Sequence, residues 1–246
     1  MELKEINSLV ELFFKKFEKK FSNVSEKAHE EIFLTALKNK DLPNTNSEPY
    51  IYSWGNVRTK INILSNYLNN IISKGDRCIL LSENRPEWLI SDLAIMNSGG
   101  ITVPLFTTYS ENDYEYIIKD CKPKVCIVSN ADQFKKIKNY ITENSIVISI
   151  DRLDEEIEFF GNIFLNARSN FKKLIGNDVS YNNDLRRNDL ACIIYTSGTT
   201  GNPKGVMLSH GGILSNCEGA REILKSPTKK DPPVFLTWLP LSHAYE

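Results

Sequence analysis

The chain has 246 residues, 41% of them hydrophobic, enough to bury a sizeable apolar core as one large domain or two small ones. Against 31 Asp and Glu stand 30 Lys and Arg, a formal net charge of -1, so no overall positive field gathers phosphate backbones and nucleic acid is not expected as a partner. The five cysteines are scattered and mostly flanked by aliphatic residues, and none of the three histidines makes a familiar ligand spacing with them, which fits buried thiols in a reducing compartment rather than disulfides or a zinc site.

The opening MELKEIN lacks the basic-then-apolar pattern of a secretory signal. No later apolar run reaches the roughly 18 residues that span a bilayer, so a soluble, cytoplasmic chain is expected. Ser8, with Glu11 three residues on, heads an amphipathic helix whose apolar positions are Leu9, Val10, Phe13, Phe14, Phe17 and Phe21. Docking of these phenylalanines onto the rest of the fold is the expected outcome. The basic face of Lys15, Lys16, Lys19 and Lys20 leaves a peripheral membrane contact open.

Asn44 to Pro49 is a polar, turn-rich break, and residues 1–50 read as a helical lead-in to a main domain over 51–246. Trp54, Val57, Ile61, Leu64, Leu68 and Ile71 then mark a second amphipathic helix behind a Ser53 cap. A turn at Gly75 and Asp76 leads to a strand at Cys78 to Leu81, a helix from Pro86 to Asn97 stopped by Gly99 and Gly100, and a strand at Ile101 to Val103. The alternation continues with a helix after Ser110, a strand at Val125 to Val128, a helix over Gln133 to Tyr140 and a strand at Ile146 to Ile150. Repeated βα units imply an α/β fold with a largely parallel sheet covered by helices. Asp151 to Asp189 reads as an irregular surface passage, and Val234 to Leu239 as a buried strand.

The strand-like run Leu190 to Tyr195 delivers the chain into Thr196, Ser197, Gly198, Thr199, Thr200, Gly201, Asn202, Pro203, Lys204 and Gly205, and Val206 to Leu208 follows as another strand. The glycines allow close backbone approach and inward-turned N–H groups, the hydroxyls add neutral donors, and Lys204 adds a compact charge suited to a polyphosphate. A Walker A loop needs glycine before the lysine and Ser or Thr after it, where this chain has Pro203 and Gly205, so the ordinary P-loop reading fails. A flexible linker need not be wedged between apolar strands.

The string from Tyr195 to Gly205 resembles the phosphate-binding signature of the adenylate-forming superfamily of acyl-CoA synthetases, luciferases and peptide-synthetase adenylation domains. Ser82 to Trp88, Val103 to Leu105 and Leu239 to His243 are similar to stretches of its long-chain fatty acid–CoA ligases. The resemblance implies a partial N-terminal domain of the adenylate-forming fold and an AMP-forming ligase of fatty acid and CoA, working through an acyl adenylate with ATP and Mg2+. It implies that Ser197, Gly198, Thr199, Thr200 and Gly201 wrap the β and γ phosphates with Lys204, that Thr196 lies near Mg2+, and that His243 orients the carboxylate. His210 reads as part of the turn opening the helix Ile213 to Leu224, and Asn84, Arg85 and Trp88 as structural.

Family members continue through adenine, ribose and metal motifs to a C-terminal lid that this sequence lacks, so an incomplete AMP-binding domain, inactive in isolation, is expected. The alternatives are a non-catalytic remnant or nucleotide- or membrane-binding module and, within the superfamily, a ligase for another carboxylate.

Overall fold

The computed structural model describes residues 2–21, 26–36, 50–153, 157–169, 181–196, 201–224, 236–237 and 239–242. Ser8 opens α1 (Leu9–Lys20) by accepting from Glu11 N at 3.1 Å, but Glu11 Oε2 reaches past the cap to Asn7 N at 2.6 Å. A short α2 (Glu26–Glu30) precedes β1 (Ile32–Ala36) and β2 (Tyr50–Ser53), which pair antiparallel as a small separate sheet that the sequence pattern did not foreshadow. Ser53 and Asn56 exchange hydrogen bonds as a capping box for α3 (Trp54–Leu68). Then follow β3 (Arg77–Leu81), α4 (Pro86–Asn97) and β4 (Ile101–Leu105). Pro86 occupies the first turn of α4, where a missing N–H costs nothing, and Gly99 behind it takes φ +78°, a conformation that favours glycine.

Ser110 and Asp113 form a second capping box at α5 (Glu111–Cys121), which β5 (Val125–Val128), α6 (Ala131–Ile137) and β6 (Ile146–Ser149) follow. The stretch expected to be irregular holds further structure: β7 (Glu158–Phe159) extends the sheet beside β6, and α7 (Phe160–Ser169) buries Phe160 and Ile163 in the core. Polar Asn162 and Asn166 diluted its apolar signal. The chain returns as β8 (Leu190–Thr196), β9 (Lys204–Ser209) and α8 (His210–Leu224).

The main sheet has the order β7-β6-β5-β3-β4-β8-β9, parallel throughout except for the final β8–β9 pair. Strand side chains alternate faces, and the alternation divides the core. Cys78, Leu80, Val125 and Ile127 face α1, α3, α4 and α7, whereas Ile79, Leu81, Cys126 and Val128 face α5 and α6. Both faces are covered, as a parallel sheet requires.

The N-terminal phenylalanines dock as expected. Phe13 and Phe14 enter the same core as α3 and α4, Phe17 and Phe21 pack with Ala28, and the Phe13 and Trp54 rings lie 5.8 Å apart at 20°. The Arg58 guanidinium sits 4.7 Å over the Phe17 ring, and Arg187 Nη1 donates to the Leu3 and Ile6 carbonyls at 2.9 and 2.7 Å. Half of the strand expected from Val234 to Leu239 falls outside the described residues, and its described residues, Leu236, Thr237 and Leu239, form no strand. Leu236 is 84% exposed.

Candidate functional site

The site is built from the carboxyl ends of the parallel strands. From β3 the chain moves to β4 on one side and returns to β5 on the other, so the connections diverge at β3. Open α/β sheets bind ligands in the crevice outside such a switch point. Because β8 runs parallel to β4, with Thr102 opposite Cys192, its end emerges at the same edge as Glu83, Asn84, Thr107 and Asn130.

At that edge β8 turns back antiparallel into β9. The ladder pairs Ile194 with Val206, Tyr195 with Gly205 and Thr196 with Lys204, so Thr196 and Lys204 face each other across the mouth of the hairpin, both exposed. The loop between them holds the remaining signature residues. Ser197, Gly198, Thr199 and Thr200 lie outside the described residues. Gly201 takes φ +134° in open space, so backbone conformation rather than crowding requires its glycine. Gly205 answers to packing instead: a Cβ there would stand 2.9 Å from Ile193 Cγ2 and 3.2 Å from Tyr195 Cζ. Pro203 is buried at the end of the loop. Val206 and Met207, expected in an apolar strand, are 44% and 66% exposed, because β9 is the edge of the described sheet.

Tyr195, the residue before the loop, is held twice. Its hydroxyl donates to Asp120 Oδ2 at 2.5 Å, and its carbonyl accepts from Tyr109 Oη at 2.7 Å. Burial, with the Asp120 hydrogen bond, raises the Tyr195 hydroxyl far above the ordinary tyrosine range, and burial pushes Tyr109 up to about 12, so both are neutral donors at pH 7.

A second connection lies at the end of β3. Asn84 Nδ2 donates to the Leu239 carbonyl at 2.6 Å and Asn84 Oδ1 accepts from Leu241 N at 2.8 Å, which fixes the segment leading to Ser242. His243 lies outside the described residues. Arg85 pairs with Glu87 at 2.8 Å and Asp151 at 3.1 Å, and Trp88 is buried. Burial raises the Glu87 carboxyl, but hydrogen bonds from Tyr52 and Arg85 more than reverse this and hold it below the usual range.

His210 is the first residue of α8 and is 1% exposed. Its Nδ1 accepts from Leu9 N at 3.4 Å, and burial lowers its pKa to about 4, so it is a neutral core residue on the far side of β9 from the loop. Sequence reasoning assigned no role to Tyr109 or Asp120. Neither belongs to a motif, and their importance depends on a contact with β8 that local sequence does not encode.

The AMP-binding enzyme family model matches residues 32–246. The chain is 33% identical over 179 residues to fatty acyl-CoA synthetase A of Dictyostelium discoideum, covering 71% of this chain and 26% of that protein. It is 32% identical over 215 residues to long chain acyl-CoA synthetase 3 of Arabidopsis thaliana, covering 79% and 31%. The chain thus spans about a third or less of the length of these curated relatives. Among solved structures, the anthranilate CoA ligase AuaEII with anthranoyl-AMP superposes at TM-score 0.66 and 21% identity over 89% of this chain and 38% of that one. ATP-bound MatB from Rhodopseudomonas palustris superposes at 0.59 and 23% over 88% and 38%.

Proposed function

The chain belongs to the family of AMP-binding enzymes, and on that footing we propose that it is the ATP-gripping portion of a long-chain fatty acid–CoA ligase. The observation that carries the reading is the pairing of Thr196 with Lys204 across a loop of Ser, Thr and Gly at the carboxyl edge of the sheet. In the reaction a fatty acid carboxylate attacks the α-phosphorus of ATP, the bond to pyrophosphate breaks, and the thiol of CoA then displaces AMP from the acyl adenylate.

This chain's part is electrostatic. Lys204 and the hydroxyls and N–H groups of Thr196 to Gly201 offset charge on the β and γ phosphates, where fixed donors act more strongly than water. His243, just beyond the segment that Asn84 holds, is the residue we assign to orienting the carboxylate.

Mg2+ fits this arrangement. Mg2+ is commonly held by substrate phosphates, water and one or two protein oxygens, and the exposed Thr196 stands opposite Lys204 where the phosphates would lie. Thr196 Oγ1 is the protein oxygen we assign, and the ion would supply charge neutralisation at the phosphates.

The long-chain relatives favour a fatty acid over other carboxylates. A membrane contact through α1 would rest on its lysine face, because its phenylalanines are committed to the core. Exchange of labelled pyrophosphate into ATP, assayed with palmitate, benzoate and aspartate on a longer protein carrying this chain, tests the substrate class. Palmitate-dependent exchange is expected, and exchange driven only by benzoate or aspartate would reassign the substrate.

A further inference from the structure

We propose that Tyr109 and Asp120 are positioning residues for the phosphate loop, gripping Tyr195 by its carbonyl and its hydroxyl so that the loop starts from a fixed point. The proposal rests on the reading of Thr196 to Lys204 as a phosphate site.

The geometry gives Tyr195 two independent tethers from outside its own hairpin. The strand β4 ends at Leu105, and the chain beyond it curls so that Tyr109 N donates to the Phe106 carbonyl at 3.3 Å. This curl delivers the Tyr109 hydroxyl to the Tyr195 carbonyl, 86 positions away in sequence. On the other side Asp120, the next-to-last residue of α5, takes the Tyr195 hydroxyl.

The tethers are themselves anchored. The Tyr109 ring meets Phe106 edge-on at 5.3 Å and Tyr114 at 6.0 Å, leaving it little rotational freedom. Tyr114 Oη donates to the Phe106 carbonyl at 2.8 Å, and Lys136 Nζ on α6 donates to the Thr107 carbonyl at 2.7 Å. Helices α5 and α6 therefore fix the turn after β4, and that turn fixes Tyr195. The Tyr195 ring also lies close to Gly205 on the opposite arm of the hairpin, where a Cβ would stand 3.2 Å from Tyr195 Cζ.

Ordering a binding site as the ligand arrives costs conformational freedom, and that loss subtracts from affinity. Holding the root of the loop beforehand reduces the loss. A tether that served the fold alone would contribute to stability without changing the grip on phosphate.

The test uses substitutions that keep the aromatic packing. Tyr109→Phe removes only the bond to the Tyr195 carbonyl, and Tyr195→Phe only the bond to Asp120. Each is expected to weaken binding of MgATP and of inorganic pyrophosphate to the chain, by calorimetry, by about fivefold, the factor carried by one net hydrogen bond. Asp120→Asn, which keeps an acceptor, should lose less than Asp120→Ala. Ser145→Ala removes a 2.7 Å bond to the Pro123 carbonyl at the opposite edge of the sheet and should bind as the parent does. If Tyr109→Phe and Tyr195→Phe bind as the parent does while Lys204→Ala binds less tightly, the positioning role is overturned and the phosphate site stands. If Lys204→Ala also binds as the parent does, the phosphate site itself falls, and the proposal with it. Losses that merely track a fall in thermal midpoint, shared by Ser145→Ala, would also overturn the positioning role.

Discussion

Asn84 holds Leu241 through its side-chain oxygen at 2.8 Å while its nitrogen holds the Leu239 carbonyl at 2.6 Å, so one exposed amide joins the end of β3 to a segment more than 150 positions away. In Asn84→Ala both bonds are lost. Hydrogen exchange at the Leu241 amide should accelerate by about fivefold or more, with global stability changed by only about 1 kcal/mol. An unchanged exchange rate would mean that the clamp does not hold the segment.

Two glycines of the signature should respond to alanine for different reasons. Gly205→Ala places a methyl against Ile193 and Tyr195 and should cost about 1–3 kcal/mol by overpacking. Gly201→Ala meets nothing, but its φ of +134° is strained for any other residue, at about 1–3 kcal/mol if the backbone is kept. In Gly205→Ala, an added Ile193→Ala, which removes the Cγ2 that the new methyl meets, should cost less by urea denaturation than it does in the parent. In Gly201→Ala it should cost as much as in the parent.

Phe14→Ala should cost about 3–5 kcal/mol, the usual range for emptying a fully buried phenylalanine site. A loss below 1 kcal/mol in urea unfolding would mean that α1 is not part of the stable fold.

His210 adds a pH dependence whose sign is fixed. Its folded pKa of about 4 lies below the ordinary 6.5, because burial disfavours the charged ring, and Lys74 opposes protonation while Asp189 favours it. Between these values the unfolded chain binds the proton more readily, so stability is full above pH 6.5 and falls as pH drops toward 4, by up to about 3 kcal/mol. His210→Gln, which keeps an acceptor for Leu9 N, should flatten this part of the pH profile of unfolding.

Much of the fold was legible because its punctuation is local. Ser53 and Ser110 cap helices by bonding three residues ahead, and Pro86 and Gly99 bracket α4 through their own backbone preferences. The parallel sheet followed from short apolar runs separated by amphipathic ones. What was missed depends on partners distant in the chain: β1 and β2 read as strands only because each completes the other, and α7 hides its buried Phe160 and Ile163 among asparagines. At the site, the glycines and Lys204 could be named from composition, and the structure separates Gly205, a packing residue, from the loop proper. Tyr109 and Asp120 were invisible because their contacts to Tyr195 span 86 and 75 positions.

The central claim is that the mouth of the β8–β9 hairpin holds the phosphates of ATP through Lys204. Its most direct test is calorimetric titration of the chain with MgATP, comparing the parent with Lys204→Ala. Removal of a charge-assisted contact worth about 1.5–3 kcal/mol predicts affinity lower by about 10- to 100-fold. An unchanged dissociation constant, in a variant that unfolds at the same urea concentration, would contradict the account.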